Sequence, residues 1–146
     1  MEKNSALSRA RGSEIILLVE DEPAVRRLVS QMLMLAGYTV FEAGSGPEAI
    51  GLIGQKRRPV DLLLTDIVMP AMNGGELAER LSRENPHLRV LFTSGYMDDP
   101  VVREVVSAGG QFLPKPFSPE ALRRKVREVL DLPCAAWAGN GAGGGR

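Results

Sequence analysis

The sequence predicts an α/β domain in which a parallel sheet is covered by helices on both faces. Short apolar runs alternate with amphipathic segments, and the alternation repeats five times between Ser13 and Leu130. The intervening segments carry apolar residues at helical spacing, so each repeat is a strand followed by a helix, which builds parallel sheets. Several apolar runs also stop at a charged residue, and a parallel sheet collects its strand ends along one edge.

The first strand, Ile15–Val19, is a continuous apolar run that meets Glu20, Asp21 and Glu22. Pro23 suits the first turn of the following helix, Pro23–Ala36, and Gly37 its stop. Val25, Leu28, Val29, Met32, Leu33 and Ala36 fall on one stripe of it, expected to be buried, with Met34 opposite among Arg27, Ser30 and Gln31. The second strand, Thr39–Glu42, is mixed in character and reads as an edge; Gly46–Gln55 is the second helix. The third strand, Leu62–Thr65, delivers Asp66 at its end and breaks at Ile67-Val68-Met69-Pro70, ahead of a helix over Gly74–Asn85. The near-continuous apolar character of the first and third strands places them centrally. Val90–Thr93 is the fourth strand and Pro100–Ala108 the fourth helix, with Val101, Val102, Val105 and Val106 on a face expected in the core. Gln111–Leu113 is a short fifth strand running into Pro114-Lys115-Pro116. In the last helix, Pro119–Leu130, Leu122, Val126, Val129 and Leu130 point inward, and Arg123, Arg124 and Arg127 are expected to face water. Ser118 is placed as its N-cap, without the Glu of a capping box.

Composition narrows the function. The chain has 146 residues, enough for one domain with a real core, and its 44% hydrophobic and 25% charged residues are ordinary for a globular protein. Eighteen basic residues balance 18 acidic ones, so no overall field points to nucleic acid. No apolar stretch reaches the roughly 18–20 residues of a membrane span, and the first residues lack the apolar core of a secretory signal; a cytoplasmic protein is expected. One cysteine, Cys134, and one histidine, His87, argue against a disulfide and against a zinc site. Residues 1–13 read as a flexible lead-in, 14–131 as the domain, and 132–146 as a disordered Gly/Ala-rich tail containing Cys134 and Trp137.

Ligands of open parallel sheets bind beyond the carboxyl ends of the strands. Glu20, Asp21, Asp66, Ser94 and Lys115 stand at such ends. Three neighbouring carboxylates repel one another unless a cation intervenes. Hard oxygen ligands with no Cys or His available select Mg²⁺, which binds through one or two carboxylates plus a phosphate. An Asp66 oxygen can then attack phosphorus in line, with Lys115 and the Ser94 hydroxyl stabilising the transferring group. Singly, each residue has a plainer reading: Asp66 as a turn cap, Lys115 as a solvated lysine, Ser94 as part of a Thr93-Ser94-Gly95 turn. Together at the strand ends, and with prolines restricting Lys115 on both sides, the functional reading prevails.

Four ordered blocks carry a resemblance: Leu-Leu-Val-Glu-Asp-Glu (17–22), Leu-Leu-Thr-Asp-Ile-Val-Met-Pro-Ala-Met-Asn-Gly (63–74), Val-Leu-Phe-Thr-Ser-Gly (90–95) and Lys-Pro-Phe (115–117). Over residues 14–131 the chain resembles the receiver domain of two-component response regulators. The resemblance implies a doubly wound, flavodoxin-like (βα)5 sandwich with strand order 2-1-3-4-5 and helices one and five on one face. It implies that Asp66 is the phosphoacceptor and that Asp21 ligates Mg²⁺ directly, Glu20 through water and Val68 by its backbone carbonyl. Ser94 then matches the switch hydroxyl, Lys115 the phosphate-contacting lysine before a peptide to Pro116 that is usually cis, and Phe112 the aromatic that turns inward. The chain departs from the family at Glu20, one methylene longer than the commoner Asp, and at Phe112, a tyrosine in many members. Loss of that ring hydroxyl leaves only rotamer exchange of an apolar ring.

The function so implied is that of a phosphoacceptor. A histidine kinase or histidine phosphotransfer protein would donate the phosphoryl group, and the face formed by helix four, strand five and helix five would signal. In this family the first helix helps dock the donor, which makes Met34 a candidate contact. The alternatives are a receiver-like module that works without phosphorylation and a Mg²⁺-dependent phosphatase; Val68 stands where such phosphatases place a second Asp. The chain leaves no room for an output domain, so output by contact with another protein is expected, with no direct nucleic-acid or membrane contact. Ala108-Gly109-Gly110 occupies a segment where dimeric members carry an acidic residue, so a monomer is expected. The blocks 72–78 and 90–96 resemble receivers attached to hybrid histidine kinases, and both a kinase fragment and a free-standing regulator fit the sequence.

Overall fold

The computed structural model describes residues 13–55 and 59–133. The expectations for residues 1–12 and 134–146, including Cys134 and Trp137, lie outside the described residues. Five strand–helix pairs follow in order: β1 (Ile15–Val19), α1 (Pro23–Leu35), β2 (Thr39–Ala43), α2 (Gly46–Gln55), β3 (Leu62–Asp66), α3 (Gly74–Glu84), β4 (Arg89–Ser94), α4 (Pro100–Ser107), β5 (Phe112–Pro114) and α5 (Pro119–Leu130). All neighbouring strands are parallel, in the order β2-β1-β3-β4-β5, so the expected doubly wound architecture is present.

Strands β2, β3, β4 and β5 each run one residue past the apolar run that announced them. The backbone ladder does not depend on side-chain polarity, and it continues through Asp66, paired with Thr93, and Ser94, paired with Pro114. Asp66 and Ser94 are therefore the last residues of strands, which fixes where their side chains start.

Alternation along the strands splits the core in two. Leu17, Val19, Leu63, Val90 and Phe92 pack with Ala49 of α2, Leu77, Ala78 and Leu81 of α3, and Val102 and Val105 of α4. Ile16, Leu18, Leu62, Leu64 and Leu91 pack on the other side with Val29 and Leu33 of α1 and Leu122, Val126 and Val129 of α5. Helices α1 and α5 thus share a face, as the resemblance implied. Strands buried on both faces explain the unbroken apolar runs of β1 and β3.

Four side chains depart from the periodicity. Ser30, placed with Met34 on the polar side of α1, is 2% exposed, because the buried stripe of the helix extends past Val29 to include it. Leu28, placed on the buried stripe of α1, is 53% exposed, because the groove between α1 and the first turn of α5 stays open; Leu28, Met32, Leu35 and Pro119 line it. Val106 on α4 is 42% exposed, beyond the edge of the face that Val102 and Val105 bury. Arg127 does not simply face water: its guanidinium donates to Glu14 Oε2 at 2.8 Å, Tyr38 Oη at 3.3 Å and Asp131 Oδ1 at 3.0 Å. A planar fork can hold several acceptors at once, and here it ties the last turn of α5 to the start of β1 and to Tyr38.

The caps follow their local chemistry. Ser118 Oγ accepts from the Ala121 amide at 3.0 Å and opens α5. Asn73 and Glu76 form a full capping box at the start of α3, with bonds of 2.9 and 3.0 Å. Asn73→Ala is expected to lower stability by about 1 kcal/mol, the usual worth of a side-chain N-cap, as read by urea denaturation. An unchanged midpoint would show that the box is dispensable.

Candidate functional site

The carboxyl ends of β1, β3, β4 and β5 converge on one small polar site. Glu20, one residue past β1, is 4% exposed. Its amide donates to Ala43 O at 3.1 Å, and its Oε2 accepts from the Glu22 amide at 3.1 Å. Asp21 beside it is exposed. Asp66, also 4% exposed, accepts from the Ile67 amide through Oδ1 at 2.9 Å. Carboxylate oxygens of Glu20, Asp21 and Asp66 lie within 4.8 Å of one another.

Lys115 closes the site from the far side. Its amide donates to Ser94 O at 3.0 Å, anchoring the residue just past β5 to the end of β4, and the Lys115–Pro116 peptide is cis. From there the side chain reaches across the end of β4. Its Nζ donates to Asp66 Oδ2 at 3.2 Å and to Glu20 Oε1 at 2.8 Å. Of the residues singled out in the sequence, Glu20, Asp21 and Asp66 thus form one cluster, and Lys115 reaches two of its members, Glu20 and Asp66.

The electrostatics follow from burial and neighbours. Burial pushes the Asp66 carboxyl up to about 6; Lys115 opposes that shift, and the charges of Glu20 and Asp21 add to it. Burial works against the Lys115 ammonium, but its bonds to Glu20 and the charge of Asp66 outweigh this and hold it above the usual lysine value. One ammonium against three carboxylates leaves the site short of positive charge. The donors offered are all oxygens, and the buried Asp66 resists ionisation without further compensation. This donor set fits a hard divalent cation such as Mg²⁺.

Ser94 is fully buried, and its Oγ accepts from the Tyr96 amide at 3.0 Å, which leaves the O–H hydrogen to be donated elsewhere. Thr93, the register partner of Asp66, carries a buried hydroxyl with no hydrogen-bond partner in the structure. Phe112 is partly buried on β5 and packs against the core beneath α2, α3 and α4. Val68 lies half-buried two residues past Asp66.

Two residues of the site went unread in the sequence. Arg26 on α1 donates through one terminal nitrogen to Glu20 O at 2.7 Å; its signal was a cation one helical turn beyond an acidic run. Gly74 at the start of α3 sits against the Asp66 backbone, where a Cβ would fall 2.2 Å from Asp66 O. Gly74 reads in the sequence only as the start of a helix, because hydropathy does not show that the loop after Asp66 folds that start back onto the strand end eight residues earlier.

Known proteins align with this arrangement. A family model for the response regulator receiver domain matches residues 16–127. The sensor kinase CckA of Brucella abortus is 42% identical over 132 residues, covering 90% of this chain and 14% of the kinase. Sporulation initiation phosphotransferase F of Bacillus subtilis is 31% identical over 121 residues, 82% of this chain and 96% of that protein. Among solved structures, a CheY-like receiver from Methanospirillum hungatei JF-1 superposes with a TM-score of 0.72 at 30% identity, covering 82% of this chain and 94% of its own. The receiver domain of the hybrid histidine kinase CckA gives 0.67 at 34% identity, covering 80% and 99%. The chain therefore spans a small part of the kinase it matches and nearly the whole of single receivers, and with the model matching most of its length it belongs to the response regulator receiver family of two-component signalling.

Proposed function

We propose that this chain accepts a phosphoryl group on Asp66 from a phosphohistidine and signals through the state of that residue. The observation that carries the reading is the buried Asp66 carboxylate, held 3.2 Å from the Lys115 ammonium and clustered with Glu20 and Asp21 at the open end of the sheet. An Asp66 oxygen forms a bond to phosphorus as the phosphorus–nitrogen bond of the donor breaks, and the imidazole leaves with that electron pair and takes up a proton. Glu20, Asp21, Asp66 and the Val68 carbonyl would hold Mg²⁺, which when bound neutralises charge on the transferring group. Lys115 moves from neutralising two carboxylates to meeting phosphoryl oxygens, and Ser94 offers its hydroxyl hydrogen to another. Water attacking phosphorus later releases phosphate and restores Asp66. The chain is thus its own substrate rather than an enzyme acting on a separate one.

A histidine kinase or histidine phosphotransfer protein supplies the phosphoryl group in this reading; the likeness to a stretch of a sensor kinase supports that class of donor. Leu28, Met34 and Leu35, exposed along α1, offer it an apolar footing. Output runs through the α4–β5–α5 face: when Ser94 turns to the phosphoryl group, Phe112 exchanges rotamer and the population of that face shifts. Incubation with acetyl phosphate and Mg²⁺ is expected to add the mass of one phosphoryl group, with none added in EDTA or in Asp66→Asn. Equal labelling of Asp66→Asn would overturn the assignment.

A further inference from the structure

We propose that Arg26 is a positioning residue that sets how tightly the Glu20–Asp21–Asp66 cluster holds a divalent cation. The inference rests on the reading of that cluster as a Mg²⁺ site.

Arg26 grips one peptide group. A terminal nitrogen of its guanidinium donates to Glu20 O at 2.7 Å, and that carbonyl belongs to the peptide joining Glu20 to Asp21. The plane of this peptide governs the directions in which both carboxylates leave the backbone. On the other side of Glu20 the chain is already fixed, since its amide donates to Ala43 O at 3.1 Å. Asp21 is bracketed on its other side by Glu22, whose amide donates to Glu20 Oε2 at 3.1 Å. Without Arg26 the peptide between Glu20 and Asp21 loses the bond to its carbonyl and gains freedom to rotate within that frame. Asp21 is the exposed member of the cluster, and among the described residues no hydrogen bond or ion pair holds its side chain in place.

Arg26 is in turn held. Its Nε lies 3.7 Å from Glu42 Oε1 near the end of β2, and its side chain is 23% exposed. Gly44 gives the guanidinium room: a Cβ there would fall 3.0 Å from the terminal nitrogen that binds Glu20 O. The planar fork spans a carbonyl and a carboxylate on two different segments, which a lysine ammonium cannot do with one short set of bonds. Groups that orient metal ligands commonly change affinity by about 10–100-fold when removed.

The opposite sign is also physically available. A cation close to the cluster repels Mg²⁺, and if that effect dominated, removing Arg26 would tighten binding. The two accounts are separated by titrating the purified chain with Mg²⁺ in a calorimeter, alongside thermal melts in EDTA. Arg26→Ala is expected to weaken Mg²⁺ binding about tenfold. Arg26→Lys, which keeps the charge and can reach the carbonyl, is expected to recover part of that loss. Gly44→Ala, whose Cβ would press on the guanidinium at 3.0 Å and on Glu48 Oε1 at 3.3 Å without altering charge, is expected to weaken binding in the same direction by a smaller factor. With Glu48→Ala as the control for that second contact, it decides the matter if Arg26→Ala fails to fold. Equal or tighter Mg²⁺ binding by Arg26→Ala overturns the proposal, as does a loss of metal-free stability with unchanged Mg²⁺ affinity. Failure of the wild-type chain to bind Mg²⁺ overturns the reading of the cluster and this inference with it; normal wild-type binding with an indifferent Arg26→Ala overturns this inference alone.

Discussion

Asp66→Asn is expected to make the metal-free protein more stable near pH 7.5, by about 1–3 kcal/mol, while removing the group proposed to accept phosphate. The cause is burial: Asp66 is 4% exposed, and its carboxyl is pushed up to about 6 from an ordinary value of 3.8. Between those two values the folded chain holds a proton that the unfolded chain has released. Stability from this group is therefore complete below about pH 4, falls as pH rises through about 6, and stays lost above it. A shift of about 2 units corresponds nominally to about 3 kcal/mol. Asn cannot ionise and avoids that penalty. The nominal figure is already net of the attraction between Lys115 and the ionised carboxylate, and the gain falls below it only as far as the amide packs less well than a protonated carboxyl.

The informative quantity is the difference between the two proteins, because other groups titrate equally in both. In EDTA the advantage of Asp66→Asn should be present near pH 7.5 and all but gone near pH 3.5, below the ordinary carboxylate value of 3.8. Added Mg²⁺ should narrow or reverse it, since a cation is the compensation that the ionised Asp66 lacks. Urea denaturation at the two pH values, with and without Mg²⁺, measures all of this. A metal-free wild type as stable as the variant near pH 7.5 would mean that Lys115 already compensates the carboxylate fully.

Much of this site could be read from the sequence because its parts are announced by one physical fact: a buried strand that ends in a charge must end at the sheet's edge. That reasoning located Glu20, Asp21, Asp66, Ser94 and Lys115, and the strand order clusters the three carboxylates and brings Lys115 onto two of them. The sequence reading failed where position depends on what lies across from a residue. Leu28 sits at the correct angle on α1 to be buried, yet α5 does not cover it. Arg127 has the spacing of a solvated arginine, yet Glu14, Tyr38 and Asp131 surround its guanidinium. Arg26 looked like one more charge on a helix, because periodicity names a face but not the carbonyl that the face approaches. Strand ends were placed one residue short for a related reason: hydropathy follows side chains, whereas the ladder through Asp66 and Ser94 is made by the backbone.

Gly74 is the sharpest case of a residue whose reason is wholly tertiary, and Gly74→Ala is expected to destabilise the protein by about 2 kcal/mol or more. As the first residue of α3, Gly74 donates its amide to Ile67 O at 2.8 Å, which brings the helix start against the end of β3. A Cβ there would fall 2.2 Å from Asp66 O, 3.0 Å from Ile67 Cα and 3.1 Å from Asp66 C. All three are backbone atoms, so no side-chain rotation relieves the clash, and either α3 or the end of β3 must move. Helix propensity pulls the other way, since Ala is favoured over Gly by up to about 1 kcal/mol in a helix interior. The steric term exceeds it here. Gly51→Ala in α2 provides the contrast: nothing lies within 4 Å of its Cβ, so the same substitution should be neutral or stabilising by up to about 1 kcal/mol. Because the clash falls on the backbone of Asp66 itself, Gly74→Ala should also slow labelling by acetyl phosphate under conditions where the protein remains folded, while Gly51→Ala labels normally. Matched urea midpoints for wild type and Gly74→Ala would show that α3 can withdraw from β3 without cost, and that the close approach at Asp66 is not what holds the helix in place.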